Sequence, residues 1–109
     1  MTGDNMIDNA EAAESAHNAL SETDMEYGRL SAYVKMAPHY IKLIKAKEFL
    51  KAVGTVAEKE STAYSSEEYI SYVSDLNESM VEFEVLEAKR ASWQREVELW
   101  RTISANQRR

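Results

Sequence analysis

Two histidines (His17, His39), two tryptophans (Trp93, Trp100) and several carboxylate clusters are the side chains here with chemistry to offer. Glu14 stands three residues before His17, the Glu-x-x-His spacing of carboxylate-bridged di-iron bundles, because residues three apart share a helical face. Such a site needs two of these motifs and further glutamates from other helices, and the chain holds one. His39 follows Pro38 and reads as a helix-start or surface histidine. Glu82, Glu84 and Glu87 fall in part on opposite helix faces and make a poor acid/base pair. Gly3, Gly28 and Gly54 are isolated, so no glycine-rich phosphate loop is present. With no cysteine there is no disulfide, thiolate zinc site or cysteine nucleophile, and a reducing cytoplasm is compatible. The expectation is a protein without catalysis, metal or cofactor.

The C-terminal end carries a second kind of signal. Trp93, Val97 and Trp100 are spaced by four and three and line one helical face, with Arg90, Arg101, Arg108 and Arg109 around them. Tryptophans at such positions serve helix packing or contacts between subunits. Alternatively, Trp and Arg together form a stacking and phosphate-contacting set for single-stranded nucleic acid, each stacked base contributing about 1–3 kcal/mol.

The net charge of −6 opposes the second reading, but the charge is laid out in blocks. Residues 1–28 carry seven acids and no Lys or Arg, and residues 29–51 carry six bases against Glu48. Residues 58–87 carry nine acids against Lys59, and residues 89–109 six bases against Glu96 and Glu98. In an oligomer the basic ends would combine into a ring. The tethered N-terminal carboxylates would compete with nucleic acid for those cations, or simply keep the chain soluble.

The elements that must position these residues are helical. Residues 1–22 are acidic and poor in large apolar side chains, which predicts either a mobile arm or a frayed helix, with little fixed structure. Thr23 and Glu26 have the spacing of a capping box, which predicts a helix from about 24 to 60. Its apolar phase (Tyr27, Leu30, Val34, Ala37, Ile41, Ile44) passes straight through Pro38, favouring one helix kinked there over two. Gly54, inside this span, marks either close helix approach or a weak point before a turn. Ser61–Ser66 supplies the turn, and Ser65 with Glu68 repeats the capping-box spacing at the head of a helix over 66–105. The two arms form an antiparallel hairpin, residues 23–109, in which the basic 29–51 block faces part of the acidic 58–87 block. No apolar run approaches the roughly 20 residues that span a bilayer, and the acidic N-terminus does not resemble a signal peptide.

Two helices cannot by themselves cover two broad apolar faces, so copies are expected to associate. Ile41, Ile44, Phe49, Val53, Phe83, Leu86, Trp93 and Val97 are the expected contacts between them. The arm EYGRLSAYVKMAPHYIKLIKAKEFLKAV, the turn AYSSEEY and the ending ELWRTISANQRR resemble small helical accessory proteins of bacteriophage recombination and replication, in particular single-strand-binding recombination mediators. That resemblance implies a ring-forming helical protein of the host cytoplasm that binds single-stranded DNA and a recombination or replication protein. It further implies Lys42, Lys45, Arg95, Arg101, Arg108 and Arg109 as nucleic-acid contacts and Trp100 as the stacking residue. A protein-protein adaptor and a small structural subunit are the competing expectations, and neither a membrane nor a small-molecule substrate is expected.

Overall fold

A computed structural model describes residues 2–107, with side chains from Asn9 onward. Among the described residues there are three helices and no strand: α1 (Thr2–Lys51), α2 (Val56–Tyr64) and α3 (Glu67–Gln107). None is long and apolar enough to cross a membrane. The described residues form two compact units, Arg29–Phe83 and the remainder up to Gly28 with Glu84 onward.

In the Arg29–Phe83 unit, α1 and α3 meet along strict three-four spacings. Leu30, Val34, Ala37, Ile41, Ile44 and Glu48 on α1, and Tyr69, Tyr72, Leu76, Ser79 and Phe83 on α3, are all buried or half-buried. This is a heptad seam. The helices run antiparallel, since Lys47 pairs with Glu68 at 3.3 Å while Tyr33 and Tyr40 both pack on Tyr72, with ring centroids 6.0 and 6.1 Å away. That register brings Ala37 level with Leu76 and Ile44 level with Tyr69, a small residue or a branched one against a larger one in each layer. The Tyr72 hydroxyl is shielded from solvent and makes no hydrogen bond of good geometry. Burial first, then the neighbouring Tyr33 and Tyr40, holds its phenol above the ordinary pKa.

α1 ends at Lys51, short of the expected 60. Gly54 adopts φ +123°, a region closed to most L residues, and a Cβ there would run into the Glu58 side chain. Of the two readings of Gly54, the turn is the one found. Thr55 then caps α2, its hydroxyl accepting from the Glu58 N–H at 3.2 Å. Thr55-x-x-Glu58 is a capping-box spacing that the continuous apolar phase masked. Ala63 seats α2, and Tyr64 meets Tyr69 edge-on at 5.5 Å. The cap of α3 is Ser66, which accepts from the Tyr69 N–H, rather than Ser65, whose hydroxyl instead donates back to Ser61 O and closes α2.

In the other unit α1 presents Asn9, Ala13, Ala16, Leu20, Thr23 and Tyr27 at the same spacings, and α3 presents Leu86, Arg90, Trp93, Val97, Trp100 and Ser104. The helix expected to start near Asp24 therefore begins far upstream, and residues 9–22 are helical rather than a loose arm. Ala13 and Ala16, 5% and 2% exposed, are among the most buried side chains of the chain. Alanine is the best helix former and lets a bulky partner approach closely, so a segment poor in Leu and Ile still has a face to bury. Thr23 is interior to the helix, its hydroxyl donating to Ala19 O at 2.7 Å. Level with it lies Arg90, 13% exposed, which donates to Leu20 O at 2.9 Å, Thr23 Oγ1 at 2.8 Å and Asp24 Oδ1 at 2.7 Å. Its guanidinium also lies 4.8 Å from the centre of the Tyr27 ring. α1 runs unbroken through Pro38, so of the two outcomes at that residue a single helix is observed.

Candidate functional site

The residues assigned to nucleic acid have varied fates. Lys45 is engaged inside the Arg29–Phe83 unit, where its ammonium donates to Tyr64 Oη at 2.7 Å and lies 4.2 Å from that ring's centre. The hydrogen bond to Tyr64 holds the Lys45 pKa above its ordinary value. Lys42, in the same unit, is exposed and has no acidic partner among the described residues. In the other unit Arg101 pairs with Glu98 one turn back at 2.9 Å, Arg95 is exposed and has no ion pair among the described residues, and Trp100 is half-buried at a seam position level with Ala13. Arg108 and Arg109 lie outside the described residues. Arg90, which sequence reasoning placed on the rim of the tryptophan face, is instead a seam residue bound to backbone and side chains of α1.

The residues assigned to contacts between copies are mostly occupied within one chain. Ile44 and Leu86 are each 9% exposed, and Ile41, Phe83, Trp93 and Val97 are half-buried along the seams. Phe49 is half-buried beneath Lys59, whose ammonium lies 5.4 Å from its ring centre, and it borders a recess of about 300 Å³ with Lys45, Ala46, Glu60, Ala63 and Tyr64. Of the eight, only Val53, at 90% exposure, is open to a partner. The physical reason is that the regular stripe is used between α1 and α3, whose faces are tethered in one chain and so meet at high effective concentration.

What stays open lies on the opposite faces. In the Arg29–Phe83 unit the outward side of α1 carries Ala32, Met36, His39, Leu43, Ala46 and Leu50, all exposed, at spacings of four and three. The outward side of α3 there carries Ile70, Ser74, Asn77 and Val81, exposed at spacings of four, three and four and without one charge. Solvated helix faces ordinarily collect charge, and exposed apolar residues are ordinary only when scattered. In the other unit α3 exposes Val85, Ala88 and Leu99, with the charged Arg95 at the same helical phase. A second heptad, offset from the first, was the missed signal: Met36, Leu43 and Leu50 are seven apart. Among the described residues no three His, Asp or Glu side chains converge as a metal site would require.

No family model, curated protein or solved structure matches this chain.

Proposed function

We propose that this chain is a non-enzymatic helical interaction protein that works as an assembly of copies and docks other proteins, an accessory role in the cytoplasm. The observation that carries this reading is the uncharged stripe on the outward face of both α1 and α3 in the Arg29–Phe83 unit. Leu43 and Leu50, 63% and 83% exposed, stand in register along one face, an arrangement that a chain working alone would leave as an aggregation hazard. A bend at Pro38, where the helix lacks one backbone donor, belongs to the same reading, since it would curve the face that copies share. Sedimentation equilibrium on the full chain tests it. Association at micromolar concentration is expected, and a compact monomer overturns the reading.

The second reading, a recombination mediator that binds single-stranded DNA, draws on Lys42 and Arg95, which are exposed cations without an ion pair among the described residues. Against it stand the seam position of Trp100 and the pairing of Arg101 and Lys45. Fluorescence anisotropy with an oligo-dT at two salt concentrations separates the two. Tight binding with a steep salt slope would establish it, and no binding at about 50 mM salt would eliminate it.

A further inference from the structure

The outward faces of the Arg29–Phe83 unit are complementary to each other in size and in charge. α1 offers the long side chains Met36 and Leu43, with the small Ala32 a turn before them. α3 offers Ser74 and Asn77 between the branched Ile70 and Val81. Beside the α1 stripe stand Lys35 and Lys42, and along one flank of the α3 stripe, outside the nearer Glu78, stand Asp75 and Glu82. Both pairs are spaced by seven residues, and none of the four forms an ion pair among the described residues. The ion pair between α1 and α3 within this unit uses other residues, Lys47 and Glu68.

We infer that the outward face of α1 in one copy docks on the outward face of α3 in a second copy, with the two helices running in the same direction. Direction follows from the charges, and register from the fit of the two stripes. Each lysine immediately precedes its stripe residue (Lys35 before Met36, Lys42 before Leu43), whereas each acid follows its own (Asp75 after Ser74, Glu82 after Val81). The charges therefore lie on opposite flanks of their stripes, and opposite flanks of two facing helices meet when the helices are parallel. Seating Met36 on Ser74, Leu43 on Val81 and Ala32 on Ile70 leaves Lys35 and Lys42 two residues short of the levels of Asp75 and Glu82, about 3 Å along the axis and within reach of a lysine side chain. Each of these three layers then has one large and one small or branched member, the condition for interdigitation, and His39 meets Asn77 between them. α1 against α1 would instead crowd Met36 and Leu43 on themselves with lysines on both sides. This docking rests on the self-association proposed above. It joins two different faces, so each copy retains one face of each kind, and the assembly closes as a ring or extends as a filament.

The native chain has no cysteine, so introduced thiols report without background. Copies carrying Leu43→Cys are mixed with copies carrying Val81→Cys and oxidised, and the disulfide between unlike copies is expected to form in preference to either symmetric one. In parallel, Lys35→Glu with Lys42→Glu weakens association by about tenfold or more, and mixing with Asp75→Lys, Glu82→Lys copies restores it. All six positions are exposed, and circular dichroism checks that the helices are kept. If the wild-type chain associates but the symmetric 43-to-43 disulfide dominates, or the lysine reversals leave its mass unchanged, this docking is wrong while self-association stands. A monomeric wild type overturns both.

Discussion

The two units solve one problem, holding α1 against α3 in a single register, with different materials. Between Arg29 and Phe83 the seam is filled from both sides by aliphatic and aromatic groups, including the buried Ala37, Ile44 and Leu76 and three packed tyrosines. Its register is specified by volume, because a slip would set large against large. In the unit of Gly28 and earlier with Glu84 onward, one helix contributes two buried alanines and the other two half-buried tryptophans, and a buried-side arginine forks into three acceptors at one level. Alanines tolerate small slips, so a polar layer supplies the specificity that volume does not. One heptad pattern thus accommodates two ways of choosing a partner position.

Four substitutions sharpen or break that contrast, each read as a shift in urea midpoint at constant slope and fixed protein concentration. The largest effect is expected from Leu76→Ala, which empties a buried position and costs about 3 kcal/mol. Ala16→Leu tests the opposite failure. At 2% exposure the site has no room for a larger side chain, and overpacking should cost about 2 kcal/mol. Equal tolerance of Leu and Ala at position 16 would show that the alanine face is not closely packed. Arg90→Lys keeps the charge but loses the planar fork that reaches Leu20 O, Thr23 and Asp24 together, for a loss of about 1–2 kcal/mol. An unchanged midpoint would remove the polar layer as a register device.

The smallest change carries the opposite sign. Tyr72→Phe deletes a shielded hydroxyl without a good partner and should stabilise the chain by about 1 kcal/mol at neutral pH. It also has a pH signature. Folding raises the Tyr72 pKa, so below the unfolded value of about 10 the shift has no effect. As pH climbs past that value the unfolded chain loses its proton first, and stability falls. Replacement by phenylalanine should remove this part of the alkaline loss, and an unaltered alkaline profile would refute the assignment.

Much of the fold was legible because periodicity is a local property. The apolar phase from Tyr27 to Ile44 and from Tyr69 to Trp100 announced two long helices, and the all-α architecture follows from it. The helix from residue 9 to 22 was not legible, since its signal is alanine at the right spacing and a reading that weighs only large side chains discounts alanine. Thr23 illustrates the limit of motif reading. Its spacing to Glu26 is that of a cap, yet its hydroxyl bonds Ala19 O within the helix and receives Arg90. Of the candidate site, the idea that apolar surface would remain was legible, but of the residues named for it only Val53 lies open, the others being buried or half-buried within the chain.

What the amino-acid sequence determined alone is the helical periodicity, the charge blocks and the absence of thiol chemistry, because each depends only on residue type and spacing. What the tertiary structure decided is which of two apolar stripes faces inward. Both stripes satisfy the helical repeat, and only the layer-by-layer fit of side chains on α1 to those on α3, with Arg90 bound at one level, distinguishes the seam from the face left exposed.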